Sequence, residues 1–248
     1  MKMTKKIVLA LGCALLCSSV FAQEQTVQRK SSTTTQKETS VEEDYLSDVD
    51  GVVILSLAQS DEYDNKLVAM QFLEEAVESG NVTKDVMTAL NQLAGEGIST
   101  QSRQNGRLMN NFPDIRRRAC LAMGKIKTEE SKNYLMKVTL AENEPMVISA
   151  AVNSLGEIGL NGNDEVVDAI SFANRRNQIL NPTSSLAFEV VDAYAKLADS
   201  TENKKIIIDS LSRIAADYHY NTAVRNKALK TLKQINDSTR SSNNKDAK

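Results

Sequence analysis

The chain has no tryptophan, a single histidine, three prolines and three cysteines in 248 residues. Cys13 and Cys17 fall in the apolar start, which leaves Cys120 and His219 as the only soft ligands beyond it. A zinc or iron–sulfur site of the Cys/His type needs about four such groups and is excluded. Cys120 has no partner there for an internal disulfide. His219 has no serine or cysteine elbow beside it, and there is no Gly-rich phosphate loop, so hydrolase and nucleotide chemistry lack their usual parts. No apolar run reaches the roughly 20 residues that a membrane helix requires.

The first residues carry a different signal. Lys2, Lys5 and Lys6 form a basic start, Ile7 to Cys17 an apolar stretch, and Val20-Phe21-Ala22 a small-residue cleavage site before Gln23. This predicts a signal peptide over 1–22 and a periplasmic or secreted mature chain. Neither Cys13 after Ala10-Leu11-Gly12 nor Cys17 after Ala14-Leu15-Leu16 fits a lipid-attachment pattern well, so soluble export is preferred to lipidation. Beyond residue 22 the chain has 27 basic against 32 acidic residues. Such an acidic balance argues against general nucleic-acid binding, which depends on phosphate neutralisation. Residues 23–40 (QEQTVQRKSSTTTQKETS) contain one apolar side chain, Val27, and read as a disordered spacer, as does the tail over 238–248.

Between these segments the sequence repeats. Pro113 to Ile126 aligns without gaps on Pro145 to Ile158, sharing Pro, Val or Ile two residues later, Ala six later, Met or Leu ten later, Gly eleven later and Ile thirteen later. Weaker copies place Leu186, Val190, Tyr194, Ala195 and Leu197, then Val224, Ala228, Leu232 and Ile235. The starts lie 32, 39 and 38 residues apart, a period that indicates stacked helical units. The apolar spacing predicts helices over 41–58, 66–79 and from Thr83 to Gly95, then pairs at 113–126 with 128–141, 145–158 with 164–177, and 183–198 with 202–216, and a last helix over 222–236. The solenoid domain is thus expected over 41–237. Asn111, Asn143, Asn181 and Asn221 precede the first helices and are expected to cap them, with proline at the first helical position of three. Gly124, Gly156 and Ala195 should mark close helix approaches. Cys120 aligns with Val152, Val191 and Leu229 and reads as a core residue.

This skeleton resembles the HEAT and HEAT-like repeat family over roughly 44–236. Ile115-Arg116, Val224-Arg225, the alanines at 119, 151 and 228, and the Leu/Met-Gly-x-Ile endings carry the resemblance, although Ile148 stands where the pattern expects arginine. The resemblance implies an all-α solenoid, a right-handed stack of about four helical hairpins plus a terminal helix, with the second helices on the concave side. It also implies a non-enzymatic scaffold that binds another protein, and a structural ladder for Arg116 and Arg225. No cofactor and no metal is expected. The enzymes of HEAT-like type and a cell-wall or lipid-binding role remain alternatives; a glycosylase would need a basic, aromatic groove that this composition does not favour.

Candidate partner-binding residues come from the connections. Arg116 and Arg117 should project off the buried stripe of Ile115, Ala119, Ala122, Met123 and Ile126. The segment 95–112 (GEGISTQSRQNGRLMNNF) is long for an inter-unit turn and carries Arg103, Arg107 and Asn110. In a solenoid it would share one edge with Glu142-Asn143, with Asn174-Arg175-Arg176-Asn177, and with Tyr218-His219-Tyr220. Arg103, Arg107, Asn110, Arg117, Arg175, Arg176, Tyr218 and His219 are therefore expected to receive carboxylates or other anions of a partner.

Overall fold

The computed structural model describes the backbone of residues 41–246 and side chains over 50–238; the signal peptide and spacer expected over 1–40 lie outside the described residues. The ten helices among them are α1 (Val41–Gln59), α2 (Tyr63–Ser79), α3 (Lys84–Ala94), α4 (Pro113–Gly124), α5 (Glu129–Ala141), α6 (Pro145–Ile158), α7 (Glu165–Leu180), α8 (Ser184–Leu197), α9 (Lys204–Ala216) and α10 (Thr222–Asp246). Two short strands, β1 (Arg103–Gln104) and β2 (Arg107–Leu108), pair antiparallel in the long connection after α3. The protein is an all-α solenoid of helical hairpins.

Local chemistry explains the boundaries. Gly80 ends α2 in the left-handed conformation at φ 78°, where the next N–H, that of Asn81, reaches back to the Ala76 carbonyl at 2.8 Å. Thr83 and Thr128 cap α3 and α5 by accepting from the backbone N–H of Val86 and Ser131. Pro113 and Pro145 occupy the first turns of α4 and α6. The asparagine caps hold only at Asn221, whose Oδ1 accepts from Val224 N at 2.9 Å. Phe112, Glu144 and Thr183 stand at the other three N-caps without a side-chain bond. Asn111 is instead drawn to Arg116, and Asn181 closes α7. At the far end α10 continues to Asp246, past the expected stop near 236 and through part of the expected disordered tail. Residues 237–246 are polar but include no proline or glycine to break the helix.

The core is the repeated stripe itself. Ala119, Ala151 and Ala228 are fully buried, with Ile115, Met123, Leu155, Val190, Tyr194 and Leu211 around them. Complete burial of each large aliphatic side chain contributes about 1.5–3 kcal/mol. Cys120, Val152 and Val191 are equally buried, whereas their counterpart Leu229 is 54% exposed on α10, the end of the array. Burial pushes the Cys120 thiol up to about 12, helped by the nearby Glu142 carboxylate, so it stays protonated and inert at ordinary pH.

Glycine sets the spacing of the first helices. A Cβ on Gly124 would lie 2.9 Å from Ser154 Cα, and one on Gly156 would lie 2.9 Å from Ala193 Cα. Ala195, expected to mark the next such approach, is exposed; Ala193, the counterpart of Ser154, is the residue that receives Gly156. α4, α6 and α8 therefore run closer together than α5, α7 and α9. The closely packed row of first helices is called the inner row, and the looser row of second helices the outer row.

Gly156→Ala should lower stability by about 1–3 kcal/mol through overpacking against Ala193. Chemical denaturation would read this, and Ala193→Gly in the same chain should recover little of the loss, because the Ala193 Cα itself meets the added methyl.

Candidate functional site

The edge formed by the inter-unit connections is built around buried charge. Lys66 at the start of α2 pairs with Glu96 at 2.6 Å and donates to the Ala58 carbonyl at 3.0 Å. Glu96 also accepts from Asn110 Nδ2 at 3.2 Å, and its backbone carbonyl accepts from Arg116 at 3.2 Å. Arg116 then meets Glu142 at 2.6 Å and Asn111 Oδ1 at 2.9 Å. The other Glu142 oxygen accepts the N–H groups of Asn143 and Glu144 at 2.8 and 3.0 Å. Finally Arg176 on α7 donates to the carbonyls of Leu140 and Glu142. One hydrogen-bonded chain thus runs from α1 to α7.

The long connection folds onto this chain. Asn105 and Gly106 both have positive φ, 50° and 81°, and turn β1 into β2. Gly97 sits at φ 73° with the Asn110 carbonyl so close that a Cβ would lie 2.7 Å from it. Asn110 secures the loop, accepting from Ser102 N at 2.9 Å and donating to the Thr100 carbonyl at 2.7 Å. A polar cleft of about 370 Å³ separates the loop from the 141–144 turn.

The expected binding residues divide accordingly. Asn110 is buried, and Arg176 is turned onto backbone carbonyls, so both hold the fold. Arg116, expected to project, is only 2% exposed, because the loop covers it. Residues 174–177 belong to α7 and not to a connection, with Asn174 and Asn177 buried. Arg103 is exposed but folded back on Gln101 and the Gly106 carbonyl. Arg107, Arg117 and Arg175 are exposed, Arg117 on α4 beside Met146 and Glu189. Tyr218 is exposed under the Arg225 guanidinium, 4.9 Å from its ring centroid. His219 lies beside Asp217 at 2.7 Å; slight burial opposes it, but the His219 backbone N–H and ring hold Asp217 below the usual carboxylate range.

The expected ladder exists with other members. On the inner face each cation of a later helix meets an acid of the helix before it: Arg118 with Glu74 at 2.7 Å, Lys125 with Glu78 at 2.9 Å, Lys196 with Glu157 at 2.7 Å, Lys227 with Asp192 at 2.8 Å. Asn153 bonds Glu189 at 2.8 Å between the third and fourth of these helices. A groove of about 610 Å³ lies among them, floored by Leu121 and Ala122. Arg225 takes no part in the ladder.

The outer row shows what the sequence reading passed over. A groove of about 680 Å³ opens between α5 and α7, walled by Met136, Leu140, Ala169 and Phe172. Leu140 is 43% and Phe172 57% exposed, and Ile179 at the end of α7 is 83% exposed. Its signal was present: Met136 and Leu140 fall off the inward stripe of Leu135 and Val138.

The family model described as HEAT repeats matches residues 107–172, which span α4 to the first half of α7. This stretch is similar to HEAT repeats. No curated protein matches the chain. The hairpins flanking the matched stretch carry the same packing, so the array is a helical-repeat scaffold of the kind that often mediates protein interaction.

Removing one member of the buried Arg116–Glu142 pair should be costly. Glu142→Leu alone is expected to destabilise by about 3–5 kcal/mol, while Arg116→Met with Glu142→Leu should recover a large part of that. A double-mutant cycle by urea denaturation checks this; equal losses for single and double variants would contradict it.

Proposed function

We propose that this protein is an exported, non-enzymatic scaffold that binds another protein in the periplasm or cell envelope. The observation that carries the reading is the outer helix row, where Leu140, Phe172, Ile179 and Leu180 stand exposed on α5 and α7. Scattered apolar side chains are ordinary on a surface, but a clustered set beside an open groove is characteristic of an interaction site. The exposed Arg107 and Arg175 add charge that could meet partner carboxylates.

Two further features support a binding role over a catalytic one. The Cys120 thiol is sealed and protonated, and the inner groove's charged side chains are largely engaged with one another. The basic, apolar and small-residue order at the N-terminus supports export, and no helix among the described residues is long and apolar enough to cross a membrane.

The test is cross-linking in bacterial cells that express the full chain with a C-terminal affinity tag. Fractionation should place it in the periplasm with Gln23 as its first residue, and mass spectrometry should find an envelope protein enriched with it. Phe172→Ser with Ile179→Ser should reduce that enrichment by about tenfold. A chain that remains cytoplasmic and unprocessed, or one that retains no protein, would refute the reading.

A further inference from the structure

We propose that the groove between α5 and α7 seats an amphipathic helix of a partner whose apolar stripe is flanked by acids on one side and bases on the other. This rests on the protein-binding reading above and names the form of its ligand.

Shape is the first argument. Met136 and Leu140 are four residues apart on α5, and Ala169 and Phe172 three apart on α7, so each wall presents an apolar row along its helix axis. Such a trough matches the ridge of a third helix, which enters with anchors at three- and four-residue spacing. The trough exists because the outer row is the looser one: with no glycine drawing α5 against α7, their side chains stand apart. On the inner face the close approaches at Gly124 and Gly156 leave less room.

Charge is the second argument, and it selects the occupant. Lys132 is consumed by Glu129 and Glu165, which ties α5 to α7 at one end of the groove. Lys137 on the α5 wall and Asp168 on the α7 wall line the groove, and neither has an ion-pair partner among the described residues. One free base and one free acid on opposite walls ask for the opposite arrangement in the ligand, as the flanking positions of coiled coils do. A wholly basic segment would be repelled at Lys137, and a wholly acidic one at Asp168. A mixed segment satisfies both in one direction only, so the pair sets the polarity of the bound helix. The inner face offers no such selection, since its Arg118, Lys125, Lys196 and Lys227 are already paired.

The probe is a designed peptide of about four helical turns, with leucines at three- and four-residue spacing, lysines along one flank and glutamates along the other. Calorimetric titration into the full chain should show saturable binding. Phe172→Ser and Leu140→Ser should each weaken it by about tenfold or more, with cooperative unfolding retained because both side chains are about half exposed. Peptides flanked only by lysine or only by glutamate should bind more weakly. A spin label on the peptide's first residue should broaden resonances at one end of the groove, and at the other end in the Lys137→Glu, Asp168→Lys double variant. Absence of peptide binding, wild-type affinity in both serine variants, or a label that does not move on the charge swap would each overturn the proposal. So would phospholipid-vesicle binding that Phe172→Ser abolishes while the peptide fails to bind, since the groove would then serve a lipid surface. Capture of an envelope protein through the exposed arginines would survive any of these failures.

Discussion

The buried chain of charge from Lys66 through Glu96, Arg116 and Glu142 to Arg176 is the interaction on which the array's order depends. Helix stacks held by apolar contact alone can slide, because one greasy flank fits another in several registers. Ionic groups out of water cannot: each must find its partner at a fixed place or bear a desolvation cost of several kcal/mol, on the order that a whole domain has to spare. Because every link joins a different helix or connection, the chain fixes the relative rotation of the first three units. It also explains the long connection, whose backbone supplies the carbonyl, whose Glu96 and Asn111 supply side-chain partners for cations on α2 and α4, and whose Asn110 holds Glu96.

The two faces of the solenoid divide the remaining work. On the inner side, small residues bring helices together and leave their surface charges within reach of each other, and the ladder follows from that proximity. Each of its pairs is partly solvated and contributes at most about 1 kcal/mol, so its effect is to fill the face with satisfied polar groups more than to hold the stack. In the outer row the helices pack less closely, and side chains that would have met across a tighter gap are left facing solvent.

Most of the architecture was readable from the residues because it is local. The stripe of Ile115, Ala119 and Met123, its copies at Val147, Ala151 and Leu155, and the glycine at each end need only neighbouring positions to be recognised, and all are buried as expected. The failures are non-local or concern competition. Arg116 looked outward on its own helix, and only a loop returning from as far as 20 residues upstream covers it. The asparagines before each unit looked like caps, but Asn111 found a stronger, charged donor in Arg116. Ala195 occupies the position of Gly156 in its copy but stays exposed, so a small residue in register does not by itself bring the next helix close. The hairpin did have a local mark, Asn105-Gly106, hidden by strands only two residues long.

The thiol of Cys120 lies at the seam where α4 meets α6, and its own carbonyl accepts the hydroxyl of Ser154 across that seam at 2.8 Å. While the seam is closed, no oxidant or second thiol can reach the sulfur, however oxidising the surroundings. Any covalent dimer or adduct at this position would therefore record that the two helices had parted, which makes the cysteine an internal gauge of how often the stack breathes.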